Sequence, residues 1–284
     1  MSSASAGTQG AGTLFLVSTP IGNLGDMTYR AVEVLSSTAL VIAEDTRHSR
    51  HLLDHYGIAT PLRSYHEHNE AKETPRLIDR LLKGDSIALI SDAGTPLVSD
   101  PGARLVDAAL AGGIKVVPIP GASAVMAALV GAGLPLDRFA FFGFLPRKGK
   151  ERKDAITAIA ASAVTSVIYE APSRVGDTLD ELSDAGAGER RAVVARELTK
   201  QFEEFRRGSV SELADRYGAA EPKGEIVLLI SGAEHGEPDE SDLSAAAARL
   251  RADGKSSRDV MEQLISDFRA PRNVAYRIAH ETEQ

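Results

Sequence analysis

The stretch Ile87-Ala-Leu-Ile-Ser-Asp-Ala-Gly-Thr-Pro-Leu-Val-Ser-Asp-Pro-Gly102 joins a short apolar run to a polar loop rich in glycine and proline. The apolar part, Ile87–Ile90, predicts a buried strand, and Ala103–Leu110 after the loop has a helical pattern. Glycine permits close backbone approach, and proline restricts the loop to few conformations. Because ligands in α/β proteins bind beyond the carboxyl ends of the strands, this loop predicts either a ligand site or a tight strand-to-helix connection.

The composition sets limits on the class of protein. The chain has 284 residues, enough for one large or two medium domains. Its content of 43% hydrophobic and 25% charged residues is typical of a soluble globular protein. Cysteine is absent, which excludes disulfides and thiolate catalysis and agrees with a cytoplasmic location. No apolar run approaches the roughly 20 residues needed to cross a bilayer, so no membrane contact is expected. The net charge of −8 argues against broad nucleic-acid binding but allows local phosphate-binding patches.

Apolar runs alternate with helical patterns along most of the chain, which predicts an α/β fold with largely parallel strand pairing. One helix is expected at Thr74–Lys83, with Pro75 in its first turn. The runs that predict strands are Thr13–Thr19, Ala39–Ala43, Ser86–Ile90, Lys115–Ile119, Phe139–Phe144, Val164–Tyr169, Ala192–Ala195 and Ile226–Ile230.

Changes in composition divide the chain into segments. Gly131–Asp137 interrupts the alternation and predicts a hinge, and the acidic stretch Gly232–Asp242 predicts a linker. We therefore expect a disordered tail at residues 1–12, α/β domains at 13–131 and 138–231, and a helix-turn-helix-like helical appendage at 241–284.

Polar residues follow the first two predicted strands. Ser18–Gly25 (STPIGNLG) carries turn residues that expose backbone donors and acceptors to a neighbour. Ala43–His48 (AEDTRH) places two carboxylates and an arginine at a strand end, where catalytic groups gather. Asp45 is also suited to cap a helix that begins near Thr46.

Two further motifs favour ligand contact. His66–Glu70 (HEHNE) could hold a metal if both imidazoles faced one side, but no third ligand lies nearby, and contact with a polar substrate is favoured. Pro118–Ala124 (PIPGASA) places Gly121 before a helix of small residues, with free N–H groups and room for a ligand. The chain lacks the glycine fingerprints of NAD and ATP sites, which argues against both cofactors.

The second half repeats this arrangement with more charge. Tyr169–Arg174, Arg196–Glu204 and Lys223–Glu225 adjoin predicted strands, although helix capping and solvated surface charge explain such blocks equally well. Arg147–Lys153 carries five basic residues and one acid and predicts a phosphate-binding patch. A second, dispersed basic set comprises Lys255, Arg258, Arg269, Arg272 and Arg277.

Taken in order, these motifs resemble the ribosomal RNA small subunit methyltransferase I family. They are STPIGNLGD, AEDTRH, YHEHNE, SDAGTPLVSDPG, PIPGASA, FFGFLPRK, YEAPSR, ARELTK and KGE. The family belongs to the tetrapyrrole methylase superfamily of class III S-adenosylmethionine (SAM) methyltransferases, and its members 2′-O-methylate a cytidine of 16S rRNA near the decoding centre. One departure is Ser173, which stands where the family usually has histidine.

The resemblance implies two α/β domains with SAM bound between them, a homodimer, and 16S rRNA within the small ribosomal subunit as the partner. Residues 20–23 and 45–47 would face the substrate. The implied RNA-binding residues are Arg147, Lys148, Lys150, Arg152 and Lys153. The implied SAM site comprises Pro20, Gly22, Asp92, Ala93, Gly94, Thr95, Asp100, Pro120, Gly121, Ser123, Ala124, Tyr169, Glu170, Glu225, Ile226 and Val227.

The implied reaction is attack of a ribose 2′-oxygen on the methyl carbon of SAM, which requires alignment of two reactants and removal of a proton. Glu44, Asp45 and His66 are candidates for the base. Arg47 and Lys200 are candidates for polarising the hydroxyl or binding phosphate, and Asp45 with Arg47 is the favoured pair.

Three other functions stay open at this point. A corrinoid or porphyrin C-methyltransferase would share the superfamily, and the YHEHNE and ARELTK blocks favour the RNA enzyme over it. A nicotinamide-dependent oxidoreductase lacks its fingerprint, and a non-catalytic RNA-binding assembly protein would need no donor site. No metal is expected.

Overall fold

The computed structural model describes residues 10–219, 221–233, 240–268 and 270–280. Most of the predicted disordered tail, part of the predicted linker and Arg269 lie outside the described residues. The chain divides into two compact units, Met1–Gly232 and Ala233–Gln284.

The first sheet is entirely parallel, with the strand order β3-β2-β4-β1-β5. All four residues of β2 and of β4 are buried, because helices cover both faces, and such strands read as continuous apolar runs. The strands are β1 (Thr13–Val17), β2 (Leu40–Ala43), β3 (Leu62–Ser64), β4 (Ile87–Ile90) and β5 (Lys115–Ile119).

Helices of the first half follow these strands. Leu77, Leu81 and Leu105 pack on one face of the sheet, and Leu35 and Leu53 pack on the other. The helices are α1 (Tyr29–Ser37), α2 (Thr46–His55), α3 (Glu70–Leu82), α4 (Ala103–Ala111) and α5 (Ala124–Ala132).

The predicted start of α3 was wrong by about one turn. The helix begins at Glu70, so Pro75 lies inside it rather than in its first turn. The Asn69 side chain accepts a hydrogen bond from the His66 amide (2.9 Å), which closes a turn just before the helix. Glu70 and Glu73 in the first turn also stabilise the positive end of the helix dipole.

The second sheet has the order β6-β7-β10-β8-β9, and here the expectation of largely parallel pairing was wrong. Only β6 and β7 pair in parallel, whereas β10 runs antiparallel to both its neighbours and β8 to β9. A short connection can reverse the chain between β8 and β9, and such a connection permits only antiparallel pairing. The strands are β6 (Phe139–Phe144), β7 (Thr165–Glu170), β8 (Arg191–Arg196), β9 (Glu204–Ser209) and β10 (Ile226–Ile230).

Helix α5 belongs to the first half in sequence but packs on the second sheet. Its buried residues Val125, Ala128 and Leu129 share a core with Val193 and Leu229 of that sheet. The opposite face is covered by α6 (Lys150–Ala161), α7 (Val175–Leu182) and α8 (Val210–Ala219). The second sheet is therefore completed by a helix that follows the last strand of the first.

The C-terminal unit is helical, as predicted. Helices α9 (Glu240–Ala252), α10 (Ser257–Phe268) and α11 (Arg272–His280) enclose their own core, which includes Leu243 and Leu264. Within the described ranges, no helix is long and apolar enough to cross a membrane.

Candidate functional site

Residues from both sheets line a cleft of about 360 Å³. This volume is within the range of about 300–1,000 Å³ that is usual for small-molecule sites. The first half contributes Ile21, Asp92, Ala93, Gly94, Thr95, Val98, Ser99, Asp100, Ser123 and Ala124. The second half contributes Phe144, Tyr169, Glu170, Ala171, Pro172, Leu198, Gly224, Glu225, Ile226 and Val227.

Most residues of the implied SAM site lie in this cleft, but Pro20, Gly22, Pro120 and Gly121 are not among its lining residues. Gly121 instead allows close approach behind the wall, since a Cβ there would stand 2.9 Å from Cβ of Ser18. The sequence reasoning missed Ile21, Val98, Ser99, Phe144, Ala171, Pro172, Leu198 and Gly224. All but Ser99 are apolar or lack a side chain, so only their position within the quoted motifs could have indicated them.

The loop after β4 is tied to its neighbours by several hydrogen bonds. Thr19 and Gly94 exchange backbone hydrogen bonds of 2.9 and 3.0 Å. The Thr95 hydroxyl donates to the Ala122 carbonyl (3.2 Å), which connects the loop to the segment before α5. These contacts hold the loop in one arrangement.

Two non-glycine residues of this loop have left-handed backbone conformations. The φ angle is 73° at Leu97 and 68° at Ser99. Such conformations cost about 1–3 kcal/mol each and persist where surrounding contacts enforce them, often at functional sites. The same feature occurs on the opposite wall, where Glu197 (φ 51°) and Thr199 (φ 66°) flank the lining residue Leu198.

Glu170 is fully buried at the end of β7 and is held by a charged network. Its carboxylate accepts hydrogen bonds from the Thr178 hydroxyl (2.7 Å) and the Ala171 amide (2.9 Å). Arg174 lies 3.3 Å and Arg152 lies 3.9 Å from its oxygens. A buried carboxylate requires such partners, and the network fixes the segment that forms this wall.

The structure places Arg152 inside this network and not on the predicted basic surface. Its guanidinium donates to Glu181 (3.0 Å), Thr178 (3.0 Å) and the Pro146 carbonyl (3.2 Å). Arg152 shares the buried face of α6 with Ile156 because the two are four residues apart, and this spacing was the available signal. The other four residues of the predicted patch, Arg147, Lys148, Lys150 and Lys153, are exposed.

Two aromatic rings stand near Tyr169 at the edge of the cleft. The ring centroids of Phe141 and Phe144 lie 4.9 and 5.4 Å from that of Tyr169. Burial raises the pKa of the Tyr169 hydroxyl, with the charge of Asp100 as the next contribution. Tyr169 therefore stays protonated, and Phe144, which is 60% exposed, presents a ring at the cleft.

Asp45 caps α2, as predicted, and accepts hydrogen bonds from the Arg47 amide (2.8 Å) and guanidinium (3.0 Å). The Arg47 side chain holds the pKa of Asp45 at about 2, well below its usual range. The Asp45 amide donates a hydrogen bond to the Asp92 carboxylate (3.1 Å), and this bond connects the AEDTRH motif to the cleft. Of the other predicted catalytic residues, neither Glu44 nor His66 lines the cleft.

Lys200 joins the ARELTK and KGE motifs at the rim of the cleft. Its ammonium group binds Glu197 (2.9 Å) and Glu225 (3.1 Å). Burial alone would lower the pKa of Lys200, but these two carboxylates outweigh it and the net shift is upward. The ammonium group is therefore charged and already paired.

Asp100 is distinct among the acidic residues of the cleft. Burial raises its pKa to about 6, and the negative charges of Glu44 and Asp92 add to the shift. No group of three acidic or histidine residues in the described part of the chain could hold a metal ion.

The sequence comparisons agree on one family. Residues 13–214 match the family Tetrapyrrole (Corrin/Porphyrin) Methylases. Ribosomal RNA small subunit methyltransferase I of Mesorhizobium japonicum is 50% identical over 250 residues, which cover 88% of this chain and 85% of that protein. The protein of the same name from Pseudomonas aeruginosa is 52% identical over 242 residues, with 84% and 86% covered.

A solved structure shares the fold. Uroporphyrin-III C-methyl transferase from Thermus thermophilus, complexed with S-adenyl homocysteine, is similar with a TM-score of 0.56 at 17% identity. The match covers 78% of this chain and 97% of that one. The motifs, the fold and the identity to full-length relatives lead to one conclusion: the chain belongs to the ribosomal RNA small subunit methyltransferase I family, among the tetrapyrrole methylases.

Proposed function

We propose that this protein transfers the methyl group of SAM to the 2′-oxygen of a cytidine in 16S rRNA, near the decoding centre of the small ribosomal subunit. The observation that carries the proposal is the 50% and 52% identity to two enzymes named ribosomal RNA small subunit methyltransferase I. The identity extends over 88% and 84% of the chain, so it includes both walls of the cleft.

The cleft suits SAM in volume and in the chemistry of its walls. SAM supplies a methyl group on a positively charged sulfonium. Besides Glu170, which is paired with two arginines, Asp92, Asp100 and Glu225 give the cleft three acidic side chains, which favour a bound cation. Ile21 and Leu198 offer apolar contact, and the exposed Phe144 ring offers a surface for stacking a base.

The loop at residues 91–102 positions the donor. Its left-handed residues and its hydrogen bonds to Thr19 and Ala122 fix its conformation, which lowers the ordering cost of binding. Glu225, Ile226 and Val227 form part of the facing wall. This preorganisation aligns the donor with the attacking oxygen, which is the main task of the protein in such a transfer.

The residues around Asp45 act on the RNA side. The Arg47 side chain is paired with Asp45 and is still 90% exposed. It contacts a phosphate of the substrate. The low pKa of Asp45 makes its carboxylate a poor proton acceptor, so its role is to orient Arg47 and to cap α2. Glu44 and His66 lie on the same side and contact polar groups of the RNA. Lys200 stabilises the rim of the cleft through its ion pairs with Glu197 and Glu225.

Arg147, Lys148, Lys150 and Lys153 bind the phosphate backbone of the RNA. They are exposed, and none forms an ion pair within the described residues. Such contacts position the RNA and weaken as salt rises. The basic residues of the C-terminal helices add a second contact, and the enzyme acts in the cytoplasm, where its substrate is assembled.

The protein acts as a homodimer through one face of α5. This helix exposes Met126 (51%) and Val130 (71%), while its other face is buried on the second sheet. Exposed apolar side chains one turn apart are typical of a surface that a partner covers.

The decisive experiment incubates the purified protein with tritiated SAM and small subunits from a strain that lacks this methylation, followed by nuclease mapping. We expect label on the ribose of a single cytidine. Label on a tetrapyrrole offered in parallel, and none on RNA, would instead identify a corrinoid or porphyrin C-methyltransferase. If the protein binds RNA but transfers methyl groups to neither acceptor, it is a non-catalytic assembly protein.

A further inference from the structure

The loop that joins β8 to β9 carries an aromatic ring that the cleft does not use. Phe202 is 65% exposed, which makes it the most exposed of the eight phenylalanines of the chain. It is not among the lining residues of the cleft, whereas Leu198, four residues earlier on the same loop, is. Phe202 therefore lies outside the cleft but on a loop that forms part of its wall.

Hydrogen bonds at both ends of this loop fix its backbone. The Glu197 amide donates to the Glu225 carbonyl (3.0 Å), and the Glu225 amide donates to the Glu197 carboxylate (3.1 Å). The Thr199 amide donates to the Glu203 carboxylate (2.7 Å), and the Glu203 amide donates to the Lys200 carbonyl (3.2 Å). These last two bonds close a turn at the tip of the loop. The ring at the tip is therefore presented on an ordered backbone, which lowers the ordering cost of a contact.

The loop borders an opening of the cleft. The Lys200 side chain packs on the backbone of Gly22, since a Cβ at Gly22 would stand 2.5 Å from Cγ of Lys200. Ile21, the residue before Gly22, lines the cleft. Glu225 also lines the cleft, yet 73% of its side chain is exposed, so the cleft is open to solvent beside Lys200. Phe202 thus lies on the loop at a point where an acceptor can approach from solvent.

The chemistry of the loop suits a base better than a phosphate. Residues 197–203 contain one cation, Lys200, and its ammonium group is already paired with two carboxylates. Glu203 adds a negative charge, which repels phosphate groups. An exposed ring, by contrast, stacks with any base, and unpaired RNA bases are commonly bound by aromatic side chains. Gln201 beside the ring is exposed and carries an amide that can bond to the edge of a base.

We propose that Phe202 stacks on an unpaired base of the RNA substrate and thereby holds the reacting nucleotide at the opening of the cleft. This inference rests on the proposed function. Stacking retains the base on the loop while the attached ribose reaches into the cleft towards the donor. Because Phe202 does not line the cleft, it sets the affinity for the acceptor and not the affinity for SAM.

The first test measures steady-state methylation of small subunits that lack this methyl group. Phe202→Ala should raise the KM for small subunits about 5- to 50-fold, because stacking on one base is lost. The kcat should change less than about threefold, and the Kd for SAM measured by calorimetry less than about twofold. Phe202→Leu keeps an apolar side chain but removes the ring, so it should behave like Phe202→Ala. Phe202→Trp should restore the wild-type KM.

The second test detects the stacking directly. The chain contains no tryptophan, so Phe202→Trp carries a single tryptophan whose fluorescence reports on this position. Protein-free 16S rRNA adds no tryptophan of its own and is titrated until filter binding shows saturation. We expect the emission to be quenched. Phe139→Trp is the matched control, because Phe139 is also exposed (41%) but lies at the start of β6 and outside the cleft, and its emission should not change.

Several results would overturn the role of Phe202. They are a KM for Phe202→Ala within about twofold of wild type, unchanged emission of Phe202→Trp at saturation, or equal quenching in the Phe139→Trp control. A lower melting temperature of Phe202→Ala, or a changed oligomeric state in sedimentation velocity, would assign the ring to a structural contact instead. Loss of SAM binding would assign it to the donor site. An inactive wild type would reject the proposed function itself, so the two failures are distinguishable.

Discussion

The methylene chain of Lys200 lies directly over the backbone of Gly22. A Cβ at Gly22 would stand 2.5 Å from Cγ and 2.8 Å from Cε of Lys200. The ammonium group at the end of the same side chain binds Glu197 and Glu225 from the second half. A residue of the first half and two of the second are thus connected through one lysine, and this contact depends on the absence of a side chain at position 22.

Replacing Gly22 should disturb this contact. Its φ of 151° is unfavourable for residues with a Cβ, and Gly22→Ala would push the lysine stem away from its two carboxylates. We expect a loss of about 1–3 kcal/mol in the free energy of unfolding and a weaker affinity for SAM. Denaturant unfolding and calorimetry would measure both.

Gly57→Ala is the control for Gly22→Ala. Gly57 also has a positive φ (65°), but nothing lies within 4 Å of the position of its Cβ. It should lose stability through backbone strain alone and keep its SAM affinity. Equal SAM affinities for the two variants would show that the contact with Lys200 does not support the site.

Asp45 should tolerate a neutral isostere. Asparagine is a good N-cap, so Asp45→Asn should keep α2 intact and retain methylation within about fivefold of wild type. Asp45→Ala removes the cap and should lower the melting temperature. Single-turnover rates and thermal unfolding of both variants would check this. A complete loss of methylation in a folded Asp45→Asn protein would instead identify Asp45 as the general base.

Two neighbouring basic residues on α6 should behave oppositely. Lys153→Ala, at an exposed position, should weaken binding to small subunits, reduce its salt dependence by about one ion and leave stability unchanged. Arg152→Ala would leave buried Glu170 without one of its partners and should cost about 3–5 kcal/mol of stability. Filter binding across a salt series, together with denaturant unfolding, separates the two effects. If both variants are stable and bind small subunits equally poorly, Arg152 belongs to the RNA-binding surface and not to the buried network.

The exposed face of α5 predicts an effect on assembly. Val130→Glu should convert the dimer to a monomer, because a charge would be buried in the centre of an apolar interface. Sedimentation velocity measures the change. Leu110→Glu, a comparably exposed apolar position on α4, should leave the dimer intact. A dimer that survives Val130→Glu would place the interface elsewhere.

Asp100 should also affect stability in a pH-dependent way. Its pKa is raised in the folded protein, so folding favours its protonated form, and stability decreases as pH rises from about 4 to about 6. Asp100→Asn should therefore be more stable than wild type at pH 7–8 by about 1–2 kcal/mol, after allowance for solvent screening. At pH 4 the two proteins should unfold at similar denaturant concentrations. Lower stability of the variant at pH 8 would contradict the raised pKa.

Strand prediction succeeded where apolar runs were continuous. The predicted bounds at 115–119, 139–144 and 226–230 coincide with β5, β6 and β10. It failed at β3, which has three residues, and at β9, whose sequence Glu204-Phe-Arg-Arg-Gly-Ser209 is mainly polar. Both are edge strands, which form through pairing with a neighbour and need no apolar pattern of their own.

The candidate site could be predicted from its polar motifs but not from its geometry. The loops at Asp92 to Asp100 and Glu225 to Val227 meet in the cleft, although they are more than a hundred residues apart. The partners of each charge were not predictable, because they come from distant segments. These partners change the expected role of two residues. Lys200 is paired with Glu225 and is not a free cation, and Arg152 is buried against Glu170 and is not on the basic surface.

The position of α5 limits how the protein could be recombined with its relatives. A chimera joined at residues 131–137 would pair the second sheet with a foreign helix whose side chains did not evolve against Val193 and Leu229. A junction before Ala124 would transfer the helix together with the sheet that it covers. Exchange of acceptor specificity between tetrapyrrole methylases should therefore succeed at the upstream boundary and give poorly folded proteins at the apparent hinge.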